Sequence, residues 1–276
     1  LIQRKSTLLT CAGSIPALFV AILVRMSAKS IQMALDVIDL REFYASPLGR
    51  MAQGAVRDAI AARWGSLTGL AVLGIGYAPP YLDAMREKAE RTIALMPGRQ
   101  GVLAWPAGAL SAVGLVDPVD LPLRDAVLDR LLVIHALELS EDAHGLMEEL
   151  WRVLTPGGHM IVIAPNRRGG WARRDSTPFG HGQPYSRSQL TALLRHALFT
   201  PVHWQEALYF PPSRAALMVG MAPMLERLGT MLKLPFAGVH IIEATKQLYR
   251  PVLARRSSRV PAALQPVLVP TSRQAD

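Results

Sequence analysis

Residues 128–165, LDRLLVIHALELSEDAHGLMEELWRVLTPGGHMIVIAP, carry two apolar runs separated by a helix-period segment. The first run, Leu131-Leu132-Val133-Ile134, follows the polar pair Asp129-Arg130. Leu146, Leu150, Val153 and Leu154 then recur at three- and four-residue spacing, the mark of one helix face. Thr155-Pro156-Gly157-Gly158 stops the helix and turns the chain into the second run, Met160-Ile161-Val162-Ile163-Ala164. Strand, helix, turn and strand in so short a stretch make a parallel crossover unit. Apolar runs without alternation belong to strands buried on both faces, so the chain is expected to fold as a parallel α/β sheet covered by helices on either side.

The rest of the sequence continues that alternation. Residues 36–64 read as one or two helices, with Ser46-Pro47 as a helix start. Leu70–Leu73 is a short buried strand, followed by the turn Gly74-Ile75-Gly76-Tyr77-Ala78-Pro79-Pro80 and a helix over about 80–90. Thr92–Met96 and Ala112–Val116 supply a second and a third strand. Residues 186–199 form an amphipathic helix with Leu190, Leu193, Leu194 and Ala197 on one face. Strands over 202–210 and 239–245 enclose a Met-rich helix at 213–232. Met218, Met221, Met224 and Met231 read as helix packing, with a flexible apolar substrate wall as the alternative. The tail from Pro251, with four prolines and scattered basic residues, is expected to be disordered.

Half of the 276 residues are hydrophobic and only 18% are charged, which suits one core-forming domain with flanking segments. The net charge of +9 suggests a polyanion partner until it is divided along the chain. Residues 1–30 hold Arg4, Lys5, Arg25 and Lys29 and no acid, and residues 251–276 hold four arginines against Asp276. The body between is close to neutral, so nucleic acid is not an expected partner. Cys11 stands alone, which excludes an intramolecular disulfide and fits a reducing, cytoplasmic setting. Residues 1–25, apolar from Leu8 to Val24 behind Arg4-Lys5, read as a signal peptide, a short membrane anchor, or an extension upstream of a start at Met26 or Met33. Membrane association is expected only through this stretch.

Trp151-Arg152-Val153-Leu154-Thr155-Pro156-Gly157-Gly158 resembles the R-V-L-x-P-G-G turn of the class I S-adenosylmethionine-dependent methyltransferases, in particular the type 11 group. The resemblance implies a Rossmann-like, mostly parallel seven-stranded sheet flanked by helices, with the last strand antiparallel. It divides the chain into residues 1–25, an N-terminal helical segment at 26–64, the methyltransferase domain at 65–250 and a basic tail at 251–276. The resemblance places the methionine moiety of S-adenosylmethionine beside Gly74, Gly76 and Tyr77. Leu73 stands where the family carries an acid, Ala78 where it carries a third glycine, and Leu95-Met96-Pro97 ends the second strand without the usual ribose-binding carboxylate. A nicotinamide-dinucleotide enzyme fits worse, because Pro79 takes the place of the third glycine of its fingerprint. Asp117-Pro118-Val119-Asp120-Leu121-Pro122-Leu123 resembles the family segment whose first acid accepts from the adenine amino group, a role that falls on Asp117. Leu121-Pro122-Leu123 would wall the ring, and Asp129 matches a position of structural role.

Three further residues are candidates for the chemistry. His135, at the carboxyl end of the fourth strand, is placed to contact the cofactor or to act as a general base. His181 and Tyr185 lie in a Pro/Gly loop, DSTPFGHGQPYSR, that reads as a lid over the substrate, His181 as acid or base and Tyr185 as a substrate contact. The arginines of NRRGGWARR (166–174) read as a solvated loop, with phosphate, carboxylate or RNA binding as the alternative. There is no metal-ligand spacing, no G-x-S-x-G elbow and no Walker lysine in the sequence. The expected activity is methyl transfer from S-adenosylmethionine to a small-molecule acceptor by in-line displacement, with no catalytic residue fixed. A non-catalytic descendant of the fold, acting as a binding or regulatory protein, is the alternative.

Overall fold

The computed structural model describes residues 35–232 and 234–247. The expectations for 1–25 and for the tail from Pro251 lie outside the described residues.

Seven strands form one sheet: β1 (Ala71–Gly76), β2 (Arg91–Pro97), β3 (Val113–Val116), β4 (Leu128–Ile134), β5 (Leu154–Pro165), β6 (Phe199–Ala207) and β7 (Val239–Lys246). Their spatial order is β3-β2-β1-β4-β5-β7-β6. The first five pair in parallel, and β7 runs antiparallel between β5 and β6. This is the mostly parallel, seven-stranded architecture expected from the sequence. The helices are α1 (Val37–Ala45), α2 (Pro47–Ala61), α3 (Pro79–Arg86), α4 (Ala143–Val153), α5 (Arg187–His196) and α6 (Ala216–Leu232).

Alternate strand residues feed opposite cores, as the two-residue period requires. Val72, Leu132, Ile134, Ile161, Ile163 and Ile241 pack under α1, α2 and α3. Leu73, Ile75, Leu131, Val133, Met160 and Val162 pack under α4 and α5. The N-terminal helices therefore share a core with the sheet. Asp36 caps α1 by accepting from Ile38 N, and Ser46 separates the two helices, accepting from Gly49 N with Pro47 at the first helical position. At the base of the sheet Asp129 accepts from Ala71 N at 2.9 Å and from the Thr155 hydroxyl at 3.3 Å, so one carboxylate ties β1, β4 and β5.

The Pro-Gly-Gly turn differs from expectation. β5 already begins at Leu154, which pairs with Leu128 before the register shifts, so Thr155–Gly158 is an irregular strand entry rather than a separate loop. Gly157 takes the left-handed conformation (φ 76°) that this entry needs.

Candidate active site

The carboxyl ends of β1, β2, β3 and β4 lie side by side, the edge at which open α/β sheets bind ligands. Gly74 and Gly76 are at the end of β1, but the atoms they approach belong to the chain itself. A Cβ on Gly74 would fall on Ala78 and Leu82 of the following helix segment, and one on Gly76 would fall on the Ile134 carbonyl oxygen. The first glycine thus seats α3 on the sheet, and the second, at φ 83°, lets the turn cross the end of β4. Tyr77 is buried and stacks on Tyr44 of α1, with ring centroids 5.6 Å apart.

His135 follows β4 at φ 52°, an uncommon conformation for a side chain of its size, and is fully buried. Its Nδ1 lies 3.2 Å from Glu138 Oε1 and its Nε2 2.8 Å from the Tyr44 hydroxyl. A carboxylate only accepts, so Nδ1 carries the proton and Nε2 accepts from Tyr44. Tyr81 in turn donates to the Tyr44 oxygen at 3.0 Å, completing a buried relay from Tyr81 through Tyr44 and His135 to Glu138. Burial, then the neighbouring Tyr81, holds the Tyr44 phenol well above its ordinary pKa, so it stays a donor. Both ring nitrogens of His135 are engaged and Phe179 lies 4.8 Å from the ring, so in this arrangement the imidazole fixes α1 to the sheet edge.

Two buried acceptors at this edge have no partner among the described residues. Gln100, three residues past β2, donates from Nε2 to the His135 carbonyl at 2.9 Å, while its Oε1 is unpaired. Glu138 Oε2 is likewise buried and unpaired. Buried acceptors without donors are costly, and a pair of them at a ligand-binding edge suits a ligand bearing N–H or O–H groups. Asp117 is exposed at the end of β3, with Oδ1 accepting from Val119 N at 3.2 Å. The strand spacing puts it about 10 Å from the end of β1.

The loop after Asp117 is clamped from α4. Glu149 Oε1 accepts from Leu121 N at 2.7 Å. Arg152 donates to the Leu121 and Leu123 carbonyls at 3.1 and 2.8 Å, and its fork also grips Glu149. The Arg152 hydrogen bond, above all, holds the Glu149 carboxyl below its usual range despite burial. Sequence reading missed Glu149, Gln100 and Tyr44. Glu138 was legible only as a neighbour of His135 at the strand end, and Arg152 only inside the W-R-V-L-T-P-G-G run, where its task could not be read.

His181 stands apart from His135. It lines a cavity of about 500 Å³ together with Asp39, Glu42 and Phe43 of α1, Asp175, and Arg214. Its Nε2 donates to the Asp175 carbonyl at 2.8 Å, which leaves Nδ1 as the basic nitrogen. Phe43 separates the cavity from the buried relay, packing on both Tyr44 and Phe179. The segment expected as a lid is packed down: Phe179 is buried between Trp171 and His135, and Gln183 N donates to the Glu138 carbonyl at 2.7 Å. Tyr185 is buried beside Glu138 in the core under α4 and α5 and does not line this cavity. Among the described residues, no group of three or more His, Cys, Asp or Glu is placed to hold a metal ion, and no helix is long and apolar enough to cross a membrane.

Residues 53–162, from within α2 through most of β5, match the family model described as a methyltransferase domain. Among the solved structures that share the fold are these two. One is an S-adenosylmethionine-dependent methyltransferase from Thermotoga maritima, described as a possible histamine N-methyltransferase; it is 16% identical, with 76% of this chain and 96% of that chain covered and a TM-score of 0.53. The other comes from a Haloferax volcanii complex of a methyltransferase with the Trm112 methyltransferase activator; it is 17% identical, with 77% and 98% covered and a TM-score of 0.53. No curated protein matches the chain.

Proposed function

We propose, from the premise that this chain carries a class I S-adenosylmethionine-dependent methyltransferase domain, that it methylates a small molecule held in the cavity between α1 and His181. The observation that carries this reading is the pair of buried, unpaired acceptors, Gln100 Oε1 and Glu138 Oε2, at the edge where the cofactor's hydroxyl and ammonium donors would lie. Asp117 would accept from the adenine amino group, with Leu121–Leu123 as the wall that Arg152 and Glu149 position. Gly74, Gly76 and Tyr77 would border the methionine end, and the fixed imidazole of His135 would hold Tyr44 above it. The cofactor supplies an activated methyl group, open to in-line displacement by a nucleophile.

The chain's own contribution is to position the acceptor and exclude water. Phe43 and Pro178 give the cavity an apolar side, with Phe179 packed against Phe43. His181 Nδ1 would take the proton released when an oxygen or nitrogen acceptor is methylated. We place the protein in the cytoplasm, where the lone Cys11 remains reduced. The test is calorimetric titration of S-adenosylmethionine into the full chain and its Asp117→Ala variant. A charged hydrogen bond of about 1.5–3 kcal/mol corresponds to at least about a tenfold loss of affinity. Equal affinity in both proteins would remove Asp117 from the site, and no binding by folded wild type would remove the whole reading.

A further inference from the structure

The connection between β6 and β7 carries a helix, α6, that packs Leu225 against the core but leaves many of its other large apolar side chains in water. α6 buries Ala222 and Gly229, the latter against the Tyr209 ring, and between them Glu226 accepts from Leu208 N at 2.9 Å and Tyr209 N at 2.7 Å. Facing water are Leu217, Met224, Leu228, Met231 and Leu232, with Phe236 just beyond; Leu217 is 71% exposed and Met231 77%. A helix on the surface of a globular protein shows the opposite arrangement, and a continuous apolar strip of this kind marks a contact surface.

The connection that carries the strip is tied to a basic loop. The loop after β5 carries Arg167, Arg168, Arg173 and Arg174, all exposed and none in an ion pair among the described residues; Asp175 is the one acid in 166–175. This loop is fastened to both ends of the α6 connection. Asn166 Nδ2 donates to the Ala237 carbonyl at 2.9 Å, and Trp171 Nε1 donates to the Phe210 carbonyl at 2.7 Å. The arginines and the apolar helix are therefore held on one piece of structure.

We propose that α6 and the 167–174 arginine loop form a docking surface for an anionic lipid bilayer. The helix lies in the interfacial plane with its leucines and methionines among the acyl chains, and the arginines meet the headgroup phosphates. Charge complementarity selects this occupant over a second copy of the chain. Leu217, Met221, Met224, Leu228 and Met231 do have the alternating four- and three-residue spacing of a helix-pairing seam. A second copy, however, would bring a set of unpaired arginines against the same set, with Glu226 turned inward and unable to answer Arg227. Arg214, just ahead of α6, and Val219 within it also line the acceptor cavity, so docking sets that cavity beside the membrane. On the methyltransferase reading above, the acceptor is then an amphiphile whose polar head enters the cavity while its tail stays in the bilayer.

The experiment is co-sedimentation of the full chain with phosphatidylcholine vesicles, with and without phosphatidylglycerol, in the absence of cofactor and acceptor. Binding is expected only with the anionic lipid, weakening as salt rises. It should fall about tenfold or more in the Leu228→Glu/Met231→Glu and Arg167→Glu/Arg173→Glu variants. Their circular dichroism spectra and melting temperatures should match wild type, which separates lost docking from lost folding. Wild type failing to bind anionic vesicles would overturn the proposal. Variants binding as wild type does would also overturn it, and would assign the vesicles to the apolar residues 8–24. A dimer in sedimentation velocity that Met231→Glu dissociates would assign the strip to a second copy. Because no cofactor is present, failure here is distinct from failure of the methyltransferase reading.

Discussion

Arg152→Ala should be the most damaging single truncation outside the two cores. The guanidinium donates to the carbonyls of Leu121 and Leu123 and forks onto Glu149, so its loss frees two carbonyls and leaves Glu149 with only the Leu121 amide. Breaking a fully buried ion pair costs about 3–5 kcal/mol. Arg152 is a third exposed, so water recovers part of this and about 2–3 kcal/mol remains. For a domain near 200 residues that is a fall of roughly 5–10 °C in melting temperature. Arg152→Lys keeps the charge without the fork and should recover about half of the loss. Asp125→Asn removes a partner that is 78% exposed and should cost less than about 0.5 kcal/mol. Urea and thermal denaturation of the four proteins, paired with cofactor calorimetry, measure all of this. Affinity for S-adenosylmethionine should drop with Arg152→Ala because the Leu121–Leu123 wall loses its anchor. The reasoning is refuted if Arg152→Ala lies within about 0.5 kcal/mol of wild type, or if Asp125→Asn is equally harmful.

Tyr44→Phe keeps the ring but strands His135 Nε2 and the Tyr81 hydroxyl, an expected cost of about 2–3 kcal/mol in urea denaturation; a neutral result would mean that the relay does not hold α1. Glu149 titrates below its usual range when folded, so its stabilisation is complete above the unfolded carboxyl value of about 4.3 and is lost as pH falls through the lower folded value. The stability difference between wild type and Glu149→Gln should therefore shrink towards pH 3, and a constant difference would contradict the assignment. Gly76→Ala puts a Cβ onto the Ile134 carbonyl at a φ of 83°, and should lower stability by more than about 3 kcal/mol or abolish expression of folded protein.

Much of the sheet is readable in the sequence because its inner strands are buried on both faces. Leu131–Ile134 and Met160–Ala164 show as unbroken apolar runs, and Ser46-Pro47 announces a helix start by its own chemistry. What depends on distant partners is not readable. The two glycines of β1 advertise a close approach, but not that the approaching atoms are Ala78, Leu82 and Ile134. His135 advertises a strand end, while its partner Tyr44 lies 91 residues earlier. The methionines of α6 have helical spacing, and the expectation that they pack inward is corrected by Met224 and Met231, which face solvent. The cue was the opposite stripe, Ala222, Glu226 and Gly229, whose small residues permit a backbone to lie close to Tyr209. Periodicity identifies a face; it does not say which face is turned inward.

The contact between Tyr44 and His135 also bears on where this fold begins. The matched methyltransferase region starts at residue 53, partway through α2, yet the polar side chain most deeply set at the end of β4 takes one of its two hydrogen bonds from α1. Removing residues 35–52 would bare Tyr77 and Tyr81 and leave an imidazole nitrogen unanswered inside the protein. Amide exchange should then find α1 and the sheet opening together as one cooperative unit, with the helices ahead of β1 as slow to exchange as the strands they cover. The stretch that matches the family model and the unit expected to open together are then different lengths of chain, the second the longer.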